Sequence, residues 1–374
     1  MLQNKIYQNF FIEICKTFLM ILFGLSLIAL TVRAVSFLDL IVENGYSIAI
    51  YFKYSLLNLF GIAPKFVPLA FLLSLTIFII KHIQDSEFVI LWTSGVKKIQ
   101  LTNLFFFISI VILIFYLILS TILTPFALNK SRQLLSNDQL NSFLPTIKTQ
   151  QFSDSFKGFT FLVEKKIDNK IQNIFLHDKG NNLKNLSSNI SETNETTITA
   201  ENGIIEGKKM FLLNGQIISS KKNQDNEIIK FEQLNINLDN LSTTTIKQPK
   251  IQETSTLKLL NCFSVEKKND AYCNKKDFKK EILPTLNRRI IIPFYIPAIA
   301  LICALLLVKT RKIYFNKFFI FIYSFILLLF TELAVRYTGI NNIVMLTFLI
   351  LPFFLMLIFY FLLIFNFLNE SKQK

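Results

Sequence analysis

Charged residues drop out of the chain in six places, and each place is long. The first uncharged run covers residues 17–32, with apolar character reaching back to about position 10. A second covers 66–80 and follows an apolar stretch at 54–64, and a third covers 99–129. After a polar interval come 290–308, 318–331 and a last run within 337–369. Each supplies the roughly 20 residues that cross a ~30 Å hydrocarbon layer at 1.5 Å per residue. Lipid offers the backbone no water to bond, so the runs predict six helices rather than strands. No small-residue cleavage site follows the first run, which reads as an uncleaved anchor.

The interval 130–287 is a different material. Short stretches at 159–163, 171–176, 198–200, 203–206, 209–213, 216–219, 228–231 and 234–238 are separated by Asn, Gly, Asp and Lys, and several alternate apolar with polar residues. That period of two predicts strands with one buried face. Asn214-Gly215 between two stretches predicts a hairpin turn. About eight short strands, with no helix among them, predict an open barrel, sandwich or jellyroll.

Composition agrees with the pattern. The chain of 374 residues is 52% hydrophobic and 17% charged, with 40 Phe and 10 Gly. A soluble domain carries about a quarter charged residues. The formal charge of +15 does not point to nucleic acid, because residues 130–287 hold only +5 of it. The rest lies in the apolar runs and their short flanks, where charge sets topology. Eleven Lys and Arg fall in the short segments on one side of the spans and three on the other. Both termini are therefore expected in the cytoplasm, with 130–287 outside.

Catalytic chemistry is sparse. The two histidines, His82 and His177, are expected on opposite sides of the membrane, so they do not make a paired metal site. GIIEGK at 203–208 is one residue short of a phosphate-binding loop and sits among strands. Cys15 and Cys303 lie at or in spans, as small apolar packing residues do. Cys262 and Cys273 lie outside, where they pair as a disulfide or stay as thiols.

Ionisable residues at span ends say more. Arg33 closes the first run, and Lys65 lies between Pro64 and Pro68. Arg288 and Arg289 open the fourth run, while Glu332 and Arg336 sit four apart at the end of the fifth. One reading is interfacial snorkelling with an intrahelical Glu332–Arg336 pair. The other is a cation-lined cavity suited to lipid phosphates. Between the second and third runs, residues 85–95 read DSEFVILWTSG. Asp85 or Ser86 can cap a short helix, Glu87 suits its dipole, and Gly95 ends it. Phe88, Leu91 and Trp92 fall on one face. Such a helix either lies on the membrane surface or docks in a groove of a cytoplasmic partner.

Three apolar runs, an external β interval and three more runs resemble the LptF/LptG permeases of the lipopolysaccharide-export ABC transporter. The likeness covers nearly the whole chain. It is carried by Pro64, Pro68 and the 85–95 segment, by Gly45 after the first run, and by Arg289 leading into the fourth. The Asp85-Ser86-Glu87 triplet leans toward LptF. The resemblance implies a helical membrane protein with six transmembrane helices (3+3) and an inserted periplasmic all-β jellyroll-like domain, in the bacterial inner membrane. Its parts are 1–129 with a coupling helix near 85–95, 130–287, and 288–374. It implies a non-catalytic subunit that binds no cofactor. ATP and Mg are used by a separate LptB-like ATPase dimer, which Asp85, Ser86, Glu87, Phe88, Leu91, Trp92 and Gly95 would engage. The other implied partners are an LptG-like paralogue, LptC-like and LptA-like jellyroll proteins, and lipopolysaccharide, whose phosphates Arg33 would approach. Two other classes remain open: a mechanotransmission-type permease acting on an external protein, and a receptor with an external β domain. The six runs disfavour the first, and the short cytoplasmic segments disfavour the second.

Overall fold

The computed structural model describes residues 5–42, 46–139, 149–156, 158–167, 169–179, 195–206, 209–220, 227–237, 250–262, 278–308 and 317–372. Gly45, Cys273 and residues 207–208 lie outside these. Six helices are long and apolar enough to cross a membrane: Lys5–Ile41, Ile48–Gln84, Lys98–Leu135, Lys280–Leu307, Lys317–Tyr337 and Asn342–Glu370. By contacts the chain divides into two units. One joins Met1–Val32, Leu57–Asn129 and Lys250–Lys374; the other joins Arg33–Leu56 and Lys130–Pro249.

The helical unit is organised around its fourth span, which packs against the third, fifth and sixth. Ala298, Ala300 and Ala304 are fully buried there, and such small side chains let helix backbones approach closely in lipid. The first span buries a single stripe, Phe10, Ile14, Phe18, Leu22 and Ser26.

Prolines shape this unit. A proline at i+4 cannot donate to the carbonyl of residue i, which then needs another partner in a medium without water. Four such carbonyls receive a hydroxyl from a neighbouring element. Thr124 Oγ1 lies 2.8 Å from Phe60 O, stranded by Pro64, and equally close to Leu119 O in its own helix. Ser120 Oγ donates to Arg289 O at 3.0 Å, ahead of Pro293. Thr256 Oγ1 donates to Thr121 O at 3.0 Å, ahead of Pro125. Tyr295 Oη donates to Phe348 O at 2.9 Å, ahead of Pro352. Ser120 and Thr121 belong to a π-helical turn, Leu119–Leu123, that interrupts the third span. The extra residue of such a turn breaks the regular ladder, as π-bulges do.

Among the described residues, the interval expected to carry no helix holds the end of Thr124–Gln139 and two further α-helices. Thr256–Asn261 starts at Ser255, whose hydroxyl accepts from Lys258 N–H, and Phe278–Ile290 runs into the fourth span. Their apolar positions Leu259, Ile282 and Leu286 are few, spread among Lys, Glu and Asn, and form a small cluster of their own.

The second unit holds one antiparallel sheet in sequential order: β1 (Ser153–Phe156), β2 (Phe159–Ile167), β3 (Lys170–Asp178), β4 (Glu195–Glu206), β5 (Lys209–Ser220) and β6 (Glu227–Asn237). The described strands number six rather than about eight. Asn214-Gly215 is not a hairpin turn, because β5 runs straight through it.

The reason is a crease. Glu164, Asn173, Glu201, Asn214 and Glu232 lie in one row across β2 to β6, and none pairs in the ladder. Register is the same on both sides of the row, as Ala200↔Gly215 and Asn202↔Leu213 show. Yet the buried phase slips by one residue there. In β4 it passes from Thr196, Ile198 and Ala200 to Gly203 and Ile205. A one-residue slip in a single strand would turn its apolar set outward. Here the strands slip together, so both halves contribute to one apolar cluster. Asn173 and Asn214 take φ of 51° and 52°, a left-handed conformation that asparagine tolerates better than most residues. Gly215 follows because a Cβ there would stand 2.3 Å from Thr199 O, and the Phe231 ring covers the gap.

Candidate functional site

The connection between the second and third spans folds into the short helix Glu87–Thr93. Phe88 is fully buried, Leu91 nearly so, and Trp92 partly. The opposite face is open. Val89 and Ile90 are 51% and 65% exposed, and Asp85, Ser86, Glu87 and Thr93 are exposed around them. Sequence reasoning selected the apolar face that turns inward and missed Val89 and Ile90.

The ends of this helix differ from expectation at one side only. Ser86 occupies the N-cap position at φ 57°, and neither it nor Asp85 makes a side-chain cap. Ser86 instead offers its carbonyl to Val89 and Ile90 N–H at 3.1 and 3.2 Å. Gly95, at φ 94°, ends the helix, with Val96 N–H donating to Leu91 O at 3.0 Å.

Two polar clusters hold the base of the helix. His82, almost fully buried, places Nε2 at 3.2 Å from Glu87 Oε2 and 3.5 Å from Glu13 Oε2 of the first span. Its Nδ1 lies 2.9 Å from Phe78 O. Lys81 Nζ donates to the other oxygen of Glu13 at 2.8 Å. On the other side, Lys98 Nζ pairs with Glu370 of the sixth span, donates to Leu307 O of the fourth, and lies 4.6 Å from the centre of the Trp92 ring. Glu13, Lys98 and Glu370 did not stand out in sequence, because each lies far along the chain from the charged residue it pairs with; His82 was considered there only as a metal ligand.

The charged residues at the far ends of the spans separate into groups. Arg288 donates to Glu332 at 2.7 Å, so Glu332 pairs across helices rather than with Arg336 four residues on. Arg289 is 5% exposed and donates to Gln252 O, Thr254 O and Thr256 Oγ1 at 2.8–3.0 Å. Its guanidinium is committed to protein acceptors. Because Thr256 in turn donates to Thr121 O, Arg289 completes a relay that ties 251–256 to the third span. Arg33, Lys65 and Arg336 are exposed. Cys262 is in a disulfide, while Cys15 and Cys303 are free thiols; Cys273 lies outside the described residues.

Six apolar spans, an inserted antiparallel β unit and a short helix between the second and third spans define a multi-span membrane protein. The family model described as Lipopolysaccharide export system permease LptF/LptG matches residues 10–366. The chain belongs to that family, whose two paralogues the match takes under one description. It is a multi-pass inner-membrane permease of lipopolysaccharide export, and no curated protein sequence matches it.

Proposed function

We propose that the chain is a permease subunit of an ABC transporter, paired with an LptG-like paralogue and driven by an LptB-like ATPase dimer. The observation that carries this reading is the short helix. It buries Phe88 and Leu91 in its own bundle while presenting Val89, Ile90 and Glu87 outward. A helix bolted at its base and apolar on its free face suits the helix-in-groove mode of recognition.

ATP, with Mg, closes the dimer on the helices of both permeases. Their displacement narrows a cavity between the two subunits and raises lipopolysaccharide out of the bilayer. The positive-rich side of the spans faces the cytoplasm and the β unit the periplasm, in line with the distribution of Lys and Arg. The β unit shields acyl chains, each exposed methylene of which costs about 0.8 kcal/mol in water. LptC-like and LptA-like jellyrolls take the lipid onward. Exposed Arg33, Lys65 and Arg336 offer cations to its phosphates.

Purification of the full chain with its paralogue and a tagged ATPase tests the reading. Val89→Glu combined with Ile90→Glu removes most of the co-purified ATPase and lipid release, while the permease melts as before because both side chains are exposed. Intact complex formation and intact release in that variant overturn it.

A further inference from the structure

We propose that His82 is a positioning residue that joins the short helix to the first span, so that displacement of one is carried to the other. The inference rests on the short helix being the element an ATPase moves.

The first span is weakly attached. Its buried residues form one stripe, and among the described residues Glu13 is the side chain of Lys5–Phe37 that makes an ion pair with another element. His82 holds that carboxylate and Glu87 with the same nitrogen, at 3.5 and 3.2 Å. The ring is confined on the remaining sides. It packs against Phe78 at 4.0 Å between centroids, stacks on Phe88 of the short helix at 5.5 Å and 28°, and meets the edge of Phe10 at 5.1 Å. Phe10 and Glu13 lie three apart on one face of the first span. The imidazole therefore touches both the polar and the aromatic residue that each neighbour offers: Phe10 with Glu13, and Phe88 with Glu87. Nδ1 against Phe78 O fixes the ring to the second span. Three elements meet at one buried side chain, and a tilt of Glu87–Thr93 moves both contacts to the first span together.

The test uses the complete complex in proteoliposomes, reading ATP hydrolysis and lipid released per ATP. His82→Phe fills the aromatic slot but loses both polar contacts. It is expected to lower lipid released per ATP at least about tenfold, equivalent to about 1.4 kcal/mol, while the complex still assembles. His82→Gln, which keeps a donor near the carboxylates, restores most of the ratio. Adding Glu13→Gln to His82→Phe costs less than the two single changes summed, because both remove the His82–Glu13 contact and Glu13→Gln alone also breaks the Lys81 pair. A residue that only packs would leave His82→Phe silent, and a normal ratio in that variant overturns the proposal. Should His82→Phe fail to assemble, Glu13→Gln set against Lys81→Met decides, since the first must give the same loss and the second, which breaks the Lys81 pair alone, must not. Failure of the unaltered chain to retain the ATPase overturns the functional reading and the joint with it. Retention with a normal His82→Phe ratio overturns the joint alone.

Discussion

Arg289 shows how residue identity and residue partner carry different information. An arginine at the head of a span was visible in sequence, and lipid phosphate was a reasonable partner for it. Its actual acceptors, Gln252 O, Thr254 O and Thr256 Oγ1, come from a polar stretch with no strong periodicity, so sequence had no means of bringing them together. A planar fork reaching three acceptors is beyond a lysine ammonium on a flexible stem. Arg289→Lys is therefore expected to destabilise the helical unit by about 1–3 kcal/mol, the cost of a buried acceptor left unpaired. A lowered melting temperature of the detergent-solubilised chain checks it; an unchanged one would mean lysine reaches the same carbonyls. His82 was equally visible and was considered only as a metal ligand, because its two carboxylates lie on other elements.

Among elements, the helices were legible and the strands only half so. Uncharged runs fix spans because hydrocarbon tolerates little else, and each run coincides with an observed helix to within a few residues. The helices at Thr256–Asn261 and Phe278–Ile290 escaped because their apolar positions are too few to set a period. The strand count failed for one reason. The breaks in β4, β5 and β6 fall on Glu201, Asn214 and Glu232, where the crease makes two adjacent positions polar and interrupts the alternation. Asn214-Gly215, expected to make a hairpin turn, does contain a left-handed residue, but the step bends a strand instead of reversing it. Gly215→Ala is expected to destabilise the β unit by about 1–3 kcal/mol through overpacking against Thr199 O, and Asn214→Val by about 1–2 kcal/mol for a left-handed branched residue. Limited proteolysis of the full chain, followed across a temperature series, reads both. Wild-type resistance in Gly215→Ala would mean the crease can open to admit a methyl group.

For the molecule as a whole, the order of spans and insert was readable because six apolar runs bracket one polar interval. Orientation depends on a charge count alone, and it predicts a chemical result. Glu201→Cys on the crease should react with a membrane-impermeant maleimide in spheroplasts, whereas Ile90→Cys on the short helix should react only after lysis. Parallel labelling checks both, and the reverse pattern would invert the topology. The division of labour among spans was hidden, since it depends on which hydroxyl reaches which carbonyl.

Those hydroxyl bonds link the second, third, fourth and sixth spans into one set: Thr124 to Phe60, Ser120 to Arg289, Tyr295 to Phe348. Pulling any member away would strand a bare carbonyl in oil, at several kcal/mol apiece. Among the described residues no proline-stranded carbonyl ties the first or fifth span to this set; they hold to it through the edge pairs Glu13–Lys81 and Arg288–Glu332, and the first also through Tyr51 Oη on Ala34 O. Those four helices are the costliest to part, so a working stroke of the proposed kind would find its slack in the other two.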